Sequence, residues 1–478
     1  MEAVIGLEVH AELLTASKIF CGCSAAFGGP PNTNVCPVCL GMPGVLPVLN
    51  RRAVAFAIRA GLATGCSIAP RSVFARKNYF YPDLPKGYQI SMYELPLCTG
   101  GAVDIPLDGT SRRIGLTRIH MEEDTGKNIH DAAVSGSLVD FNRSGVPLLE
   151  IVSEPELRSP EEAGAYLRTL RAILQYLEIC DGNMEEGSFR CDANVSVRPV
   201  GATTLGTKVE IKNLNSFRAV ERALAYEIGR QQRALAVGEP IVQETRLWDA
   251  DREETRAMRT KEYAHDYRYF PEPDLPPLVV DDAWVAEVRA RLPELPAARR
   301  ARFEREFGLS AYDADVLTQR KDVADYFEAG LAAGAPPKEM ANWTLTEVLR
   351  SVRDEKLDHA LVIRDWPVSA GQLARLISLV AAGQVNRNTA KALLPKLRGT
   401  DQDPAALVAA EGLGQVSDRG ALDAIVAEVI ARCPEQVAQW KAGKDKVLGF
   451  FVGQVMKASG GKAAPQVVQD LLRAALDK

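Results

Sequence analysis

No uninterrupted apolar run in the 478 residues approaches the width of a bilayer, and the amino terminus, MEAVIGLEVHAEL, carries acids where a signal peptide would carry bases. The expectation is a cytoplasmic protein with no leader, no spanning helix and no membrane partner. A Walker pattern is missing as well: TGKN at Thr125 to Asn128 lacks the earlier Gly and the Ser or Thr after Lys, and no GxGxxG occurs. Any nucleotide must therefore be held without a P-loop. No fixed-period repeat is present, which excludes a solenoid. Nor is there an excess of base. The 57 Lys and Arg against 62 Asp and Glu leave a formal net charge of -5, which argues against nonspecific coating of nucleic acid but allows a segregated basic surface. Nine cysteines in a reducing compartment are not a disulfide framework, so clusters among them point to metal binding or catalysis.

A chain of this length exceeds one hydrophobic core and should divide into two to four domains. The first 280 or so residues carry many short runs of period two broken by Gly, Pro and Asn, the pattern of antiparallel sheet with a few inserted helices. One helix is predicted from Ser159-Pro160-Glu161-Glu162, with Ser as cap, Pro at the first helical position and Leu167, Leu170, Leu174 and Leu177 on one face. A second should begin after Ser216. YRYFPEPDLPPLVV, Tyr267 to Val280, is too rich in Pro for helix and reads as an extended segment closing the sheet domain. Beyond Asp282 apolar spacings of three and four dominate, a break falls near RGTDQD at Arg398 to Asp403, and a last unit of small helices follows. The fold class is α+β.

His120 to Pro155 gathers seven carboxylates around apolar, strand-like residues, among them Glu122, Glu123, Asp124 and Glu150. Like charges this close repel unless they hold a cation or take part in chemistry, so a divalent metal is expected; an acidic loop beside a hairpin is the alternative. In Ala3 to Leu13, Ile5, Leu7, Val9 and Ala11 share one strand face, and Glu8, His10 and Glu12 share the other. The same alternation places Arg190, Asp192, Asn194 and Ser196 together, and likewise Lys208, Glu210 and Lys212. Several such strands suggest the polar face of a concave sheet. Clustered carboxylates with a neutral His suit Mg²⁺, whose shell keeps positions open for phosphate, and Lys77 and Arg190 would complement phosphate charge.

Cys21-Gly-Cys23, twelve residues, then Cys36-Pro-Val-Cys39 has the spacing of a structural Cys₄ zinc site. Cys66, Cys98, Cys180, Cys191 and Cys433 stand alone and read as small buried apolar residues. In the tail, QWKAGKDKVLGFFVGQVMKASGGK holds Lys441, Lys444, Lys446, Lys457 and Lys462 against the single acid Asp445. This is a basic surface or a solvated helix face.

The motifs VIGLEVHAEL, RKNYFYPDLPKGYQIS, HMEEDTGK, DFNRSGVPLLEIVSEPE, MEEGSFRCDANVS, KVEIKNLNS, DYRYFPEPDLPPL and GKDKVLGFFVGQVMKASGGKAAPQVVQDLL together resemble the GatB family, the B components of the aspartyl/glutamyl-tRNA(Asn/Gln) amidotransferases, from Val4 to the carboxyl terminus. The resemblance implies a cradle domain over 1–292 with a zinc loop at 21–39, a helical domain over 293–403 and a tRNA-binding helical tail over 404–478. It implies a carbon-nitrogen ligase with glutamine as amido donor, a heterotrimer in which this chain works with an amidase (the A component) and a small third protein (the C component) on mischarged tRNA. It also admits an aminoacyl-tRNA synthetase as a further partner. ATP and Mg²⁺ would phosphorylate the side-chain carboxylate of Glu-tRNA(Gln), Asp-tRNA(Asn) or both, before ammonia displaces the phosphate. By the same resemblance Glu8, His10, Glu123, Glu150 and Glu210 would hold Mg²⁺, with Glu8, His10, Lys77 and Glu123 at the reaction. Arg190, Asp192, Asn194, Lys212 and Asn213 would contact ATP or the tRNA end, Lys444, Lys446, Lys457 and Lys462 would contact tRNA, and the Cys quartet would hold a cradle-stabilising zinc. The rival reading is a noncatalytic tRNA-binding scaffold. An autonomous glutaminase is disfavoured, because neither a catalytic Cys with a convincing His partner nor a Gly-Ser-rich amidase segment occurs.

Overall fold

The computed structural model of the chain describes residues 1–107, 110–129, 136–258, 267–354, 366, 368–414, 419–459, 463 and 465–477. Two compact units are present, Met1–Pro296 and Ala297–Lys478.

The first unit is built on a 14-stranded sheet whose main path is formed by ten strands. In chain order these are β1 (Glu2–Glu12), β2 (Arg71–Asn78), β3 (Tyr88–Leu95), β4 (Thr110–Glu123), β5 (Pro147–Ser153), β6 (Phe189–Arg198), β7 (Val209–Lys212), β8 (Thr245–Asp249), β9 (Glu254–Ala257) and β10 (Phe270–Pro271). Their order across the sheet is β9-β8-β7-β6-β1-β5-β4-β3-β2-β10. All neighbours on this path run antiparallel except β7 and β8, which are parallel because helix α3 (Phe217–Ala236) lies in the connection between them. The extended segment after Tyr267 pairs with β2, Phe270 opposite Arg76 and Leu278 opposite Ser72.

One face of the sheet is apolar and carries the helices. Ile5, Leu7, Val9 and Ala11 of β1 join a single core with Ala57 of α1 (Arg51–Ala63), Leu170 of α2 (Pro160–Tyr176) and Val220 of α3. Each fully buried Leu or Ile contributes roughly 1.5–3 kcal/mol, which is what offsets the cost of the polar face opposite. Both helix starts are where their caps place them. Ser159 Oγ accepts from the Glu162 amide at 3.2 Å with Pro160 at the first position, and Ser216 Oγ accepts from the Ala219 amide at 3.0 Å.

The second unit is helical and has two separate cores: one runs from Phe303 to Val408 around Trp343 and Phe327, the other from Leu422 to Leu476 around Phe451 and Leu472. No helix among the described residues is long and apolar enough to cross a membrane.

Candidate active site

The period-two alternation of β1 turns Glu8 and His10 away from the core, and the register carries that polar face across four neighbours. His10 pairs with Glu150 of β5 and Arg190 of β6, Glu150 pairs with His120 of β4, and Glu8 pairs with Asp192. Asn194 of β6 pairs in turn with Glu210 of β7. The result is a pocket of about 570 Å³ lined by carboxylates from five strands, by His10 and His120, and by Lys77, Arg118, Lys208 and Lys212.

Two groups of three donors lie within it. His10, Glu122 and Glu150 bring ligand atoms within 4.8 Å of one another, and so do Glu8, Asp192 and Glu210. His10 Nε2 is 3.5 Å from Glu150 Oε2 and 3.8 Å from Glu122 Oε1. Burial lowers the imidazole pKa, but the hydrogen bond to Glu150 and the fields of Glu150, Glu122 and Asp192 outweigh it and raise the net value. Burial also raises the Glu8 carboxyl, with Glu150, Glu210 and Asp192 adding to the rise. Glu122 and Glu150 go the other way: burial opposes ionisation, yet His120 beside both, with His10 against Glu150, holds them below the ordinary carboxylate value.

His120 has a distinct part. Its Nδ1 accepts from Arg118 Nε at 3.2 Å, so in the neutral ring the proton sits on Nε2, which is buried without a hydrogen-bond partner and lies 3.7 Å from Glu122 Oε2 and 3.8 Å from Glu150 Oε2. Arg118 Nη2 also donates to Glu150 Oε1 at 3.1 Å. A second unpartnered atom, Asn194 Oδ1, belongs to the amide that donates to Glu8 Oε1 at 3.1 Å. His120 lines the cavity, and a buried polar atom without a partner there is a position a ligand or bridging water satisfies.

On one side Lys212 Nζ donates to Asp192 at 2.5 Å and stands 3.7 Å from Glu210, whose other oxygen accepts from Thr245 at 2.8 Å. On the other, Lys77 lies 5.0 Å from the Tyr267 ring and Arg118 lies 4.9 Å from Tyr93, itself stacked on Tyr269 at 4.9 Å.

Of the residues singled out from the sequence, Glu8, His10, Lys77, Glu150, Asp192, Glu210 and Lys212 line this pocket. Glu123 does not. On β4 it follows Glu122 by one residue and so faces the opposite side, where it pairs with Lys86 and accepts from the Ile90 amide at 2.9 Å. Glu122 occupies the place expected of it. Arg190 is turned to Asp124 at 2.7 Å and Glu12 at 3.1 Å. Asp124 is held down to about 2: burial alone would raise it, and Arg190 and Arg143 reverse that. Glu12 is pushed up to about 8 by burial and the Asp124 charge. Asn213, in the left-handed region at φ 67, donates to the Trp248 carbonyl at 3.0 Å and shapes the turn after β7. Glu122, named in the acidic cluster but not among the metal-holding residues the resemblance implies, lines the pocket. His120 and Arg118 line it too, and counting in twos back from Glu122 along the strand finds both.

The four sulfurs of Cys21, Cys23, Cys36 and Cys39 also lie within 4.8 Å of one another, with Cys36 and Cys39 at 3.9 Å. A tetrahedron with bonds of about 2.3 Å has edges of about 3.8 Å, so the donor set fits zinc. Cys66, Cys98, Cys180 and Cys191 are buried and Cys433 half-buried. Lys444, Lys446 and Lys457 are exposed on the tail, and Lys462 lies outside the described residues.

The fold and pocket define an α+β protein whose sheet cradles carboxylates, imidazoles and ammonium groups in one cavity. The chain belongs to the GatB/GatE family: the model of its catalytic domain matches residues 3–286, and that of the GatB domain matches residues 325–476. Proteins named as the B component of aspartyl/glutamyl-tRNA(Asn/Gln) amidotransferase are similar over nearly the whole length. Those of Geobacter sulfurreducens, Thermodesulfovibrio yellowstonii and Chlorobium chlorochromatii are 59%, 56% and 54% identical, each over 98% of this chain and 98% of its own length.

Proposed function

We propose that this chain is the phosphorylating and amidating component of a glutamine-dependent tRNA amidotransferase, with the acid-rich cradle pocket as its reaction site. It would act on Glu-tRNA(Gln), Asp-tRNA(Asn) or both, with an amidase and a small third protein as partners. The observation that carries the reading is the pair of donor triads, His10/Glu122/Glu150 and Glu8/Asp192/Glu210, beside Lys77, Arg118 and Lys212 in one cavity.

A carboxylate is a poor electrophile and needs a leaving group. Transfer of the ATP γ-phosphoryl group to a side-chain oxygen releases ADP and gives an acyl phosphate. Ammonia then forms the C–N bond as the C–O bond to phosphate breaks, and the proton shed by nitrogen leaves with phosphate. His10, Glu122 and Glu150, with Glu8, Asp192 and Glu210, would hold Mg²⁺, which would supply positive charge to offset that of phosphate. The protein's part is to position and to balance charge. His120, with its proton on Nε2, aims a donor at Glu122 and Glu150 and keeps both ionised. Lys77 would meet phosphate charge, while Lys212, bonded to Asp192 and 3.7 Å from Glu210, would balance and orient those carboxylates.

Cation binding should depend on pH in a definite direction. Glu8 and His10 both hold protons more tightly than usual, and both must release them to become ligands. Binding therefore tightens as pH rises through their raised pKa values and weakens as it falls. Titration calorimetry with Mn²⁺ from mildly acidic to mildly basic pH should show this, with protons released on binding; a pH-independent affinity would count against these two ligands.

The exposed tail lysines fit contacts to tRNA phosphates, which position without reading sequence. Replacing Lys446 and Lys457 by Ala should weaken tRNA binding and reduce the slope of log K against log salt by about 2, near one for each lost phosphate contact. Glutamine hydrolysis by the amidase should be untouched. An unchanged slope would remove these lysines from the tRNA surface. The whole reading is tested by incubating the assembled complex with ATP, glutamine and each mischarged tRNA, then identifying the released amino acid. ATP-dependent appearance of Gln or Asn is expected; a scaffold protein would leave catalysis intact after its triads were replaced.

A further inference from the structure

The β3 and β4 strands meet at a single backbone pair, Ser91 opposite Glu122. Glu123 adds hydrogen bonds to that junction: its carboxylate accepts from the Ile90 amide at 2.9 Å and from the Lys86 ammonium, and its carbonyl accepts from Gln89 Nε2 at 2.7 Å. Gln89 is also the register partner of Lys77. So the side chains of Lys86 and Gln89 fasten to β4 the hairpin that brings Lys77, Ser91 and Tyr93 to the pocket.

Lys86 is itself held from the cysteine loop. Gly41, two residues after Cys39, lies so close that a Cβ there would fall 2.2 Å from Lys86 Cγ and 3.1 Å from its Cα. Gly41 also has φ +65, where a side chain is strained. Its position follows from the knuckle, because the Leu40 amide donates to the Cys36 carbonyl and the Gly41 amide to the Val38 carbonyl, both at 3.0 Å. A cavity of about 30 Å³, room for one water, lies among Cys21, Cys39, Lys86 and Glu123.

We propose that the four-cysteine loop positions the reaction pocket: metal held by the thiols seats Gly41 on Lys86, which locks Lys86 onto Glu123 and fixes the β2–β3 hairpin bearing Lys77. Gly41, Lys86 and Glu123 are positioning residues in this scheme, and the coupling does not depend on the chemistry assigned to the pocket. It goes beyond a zinc that only stabilises the loop, since it assigns the metal an effect on strands remote from the cysteines in sequence.

Hydrogen exchange read by mass spectrometry on the full chain, with zinc content measured in parallel, tests the coupling. Stripping zinc under reducing conditions should speed exchange of the amides from Gly87 to Ser91 by at least about tenfold, and adding zinc back should restore protection. Gly41→Ala keeps all four thiols. It should retain one zinc per chain yet show the faster exchange with zinc bound. If that variant does not fold, Lys86→Met replaces it: exchange at Ile90 should then be fast and no longer respond to zinc. The proposal is overturned if the loop binds no zinc, if stripping leaves Gly87 to Ser91 unchanged, or if zinc still controls Ile90 after Lys86→Met.

Discussion

Glu122→Gln should lower ATP-dependent phosphorylation of the aminoacyl side chain by on the order of 10²–10³-fold, the loss typical of removing one charge-stabilising group from a preorganised site. The substitution keeps the shape of a side chain that is 3 % exposed but removes one of three donors in the His10/Glu122/Glu150 triad. Divalent-cation affinity should fall with the rate. Its neighbour gives the contrast. Glu123→Gln leaves the half-buried Lys86 without its carboxylate; breaking a fully buried pair costs roughly 3–5 kcal/mol, which is an upper bound for this one. That variant should melt earlier while keeping its cation. A Glu123 variant that loses the cation beside a Glu122 variant that keeps it would reverse the assignment.

Replacing Cys36 and Cys39 together by Ser should have the next largest effect, on stability. The loop from Ser17 to Asn50 is poor in core: Ile19, Phe20 and Cys39 are buried, but Phe27, Met42, Leu46 and Val48 are 51–75 % exposed. Hydrogen bonds from Asn32 and Asn34 to residues 139–142, and from Asn50 to Ser17 and Lys18, tie the segment at its edges, but little apolar burial organises its middle. Structural zinc in small domains is worth on the order of 10 kcal/mol of apparent binding free energy, so even a fraction of it is a large share of one unit's stability. Loss of bound zinc, cleavage between Cys21 and Val48 in limited proteolysis and a lower melting temperature are expected. A variant without zinc that resists protease like the parent would show that the loop folds unaided.

Much of this was readable in the chain because it is local. The alternation of Glu8 and His10 against Ile5, Leu7 and Val9 needs only the period of a strand, and Ser159 and Ser216 announce their helices through hydrogen bonds three residues long. Where the structure departs from what the sequence suggests, the reasons are of two physical kinds. In HMEEDTGK two acids are adjacent, and a strand whose faces change every residue turns Glu122 to this pocket and Glu123 to Lys86. The phase is set by His120, which pairs with Glu150 across β4 and β5. The other kind is nonlocal: Lys86 meets Glu123 across 37 positions and Arg190 meets Asp124 across 66, pairings that exist only once the sheet is assembled. Arg190, which the sequence offers as a complement to phosphate charge, is paired here with Asp124 and Glu12. The parallel β7–β8 pair was hidden for the same reason, with α3 lying between its strands in sequence.

The most direct test of the central claim is an anomalous diffraction map of crystals of this protein soaked in Mn²⁺, a scattering substitute for Mg²⁺. The account predicts density in the cradle pocket between His10, Glu122 and Glu150, with a second position among Glu8, Asp192 and Glu210. A map with no ion at either triad, or with the ion ligated by Glu123, would contradict it.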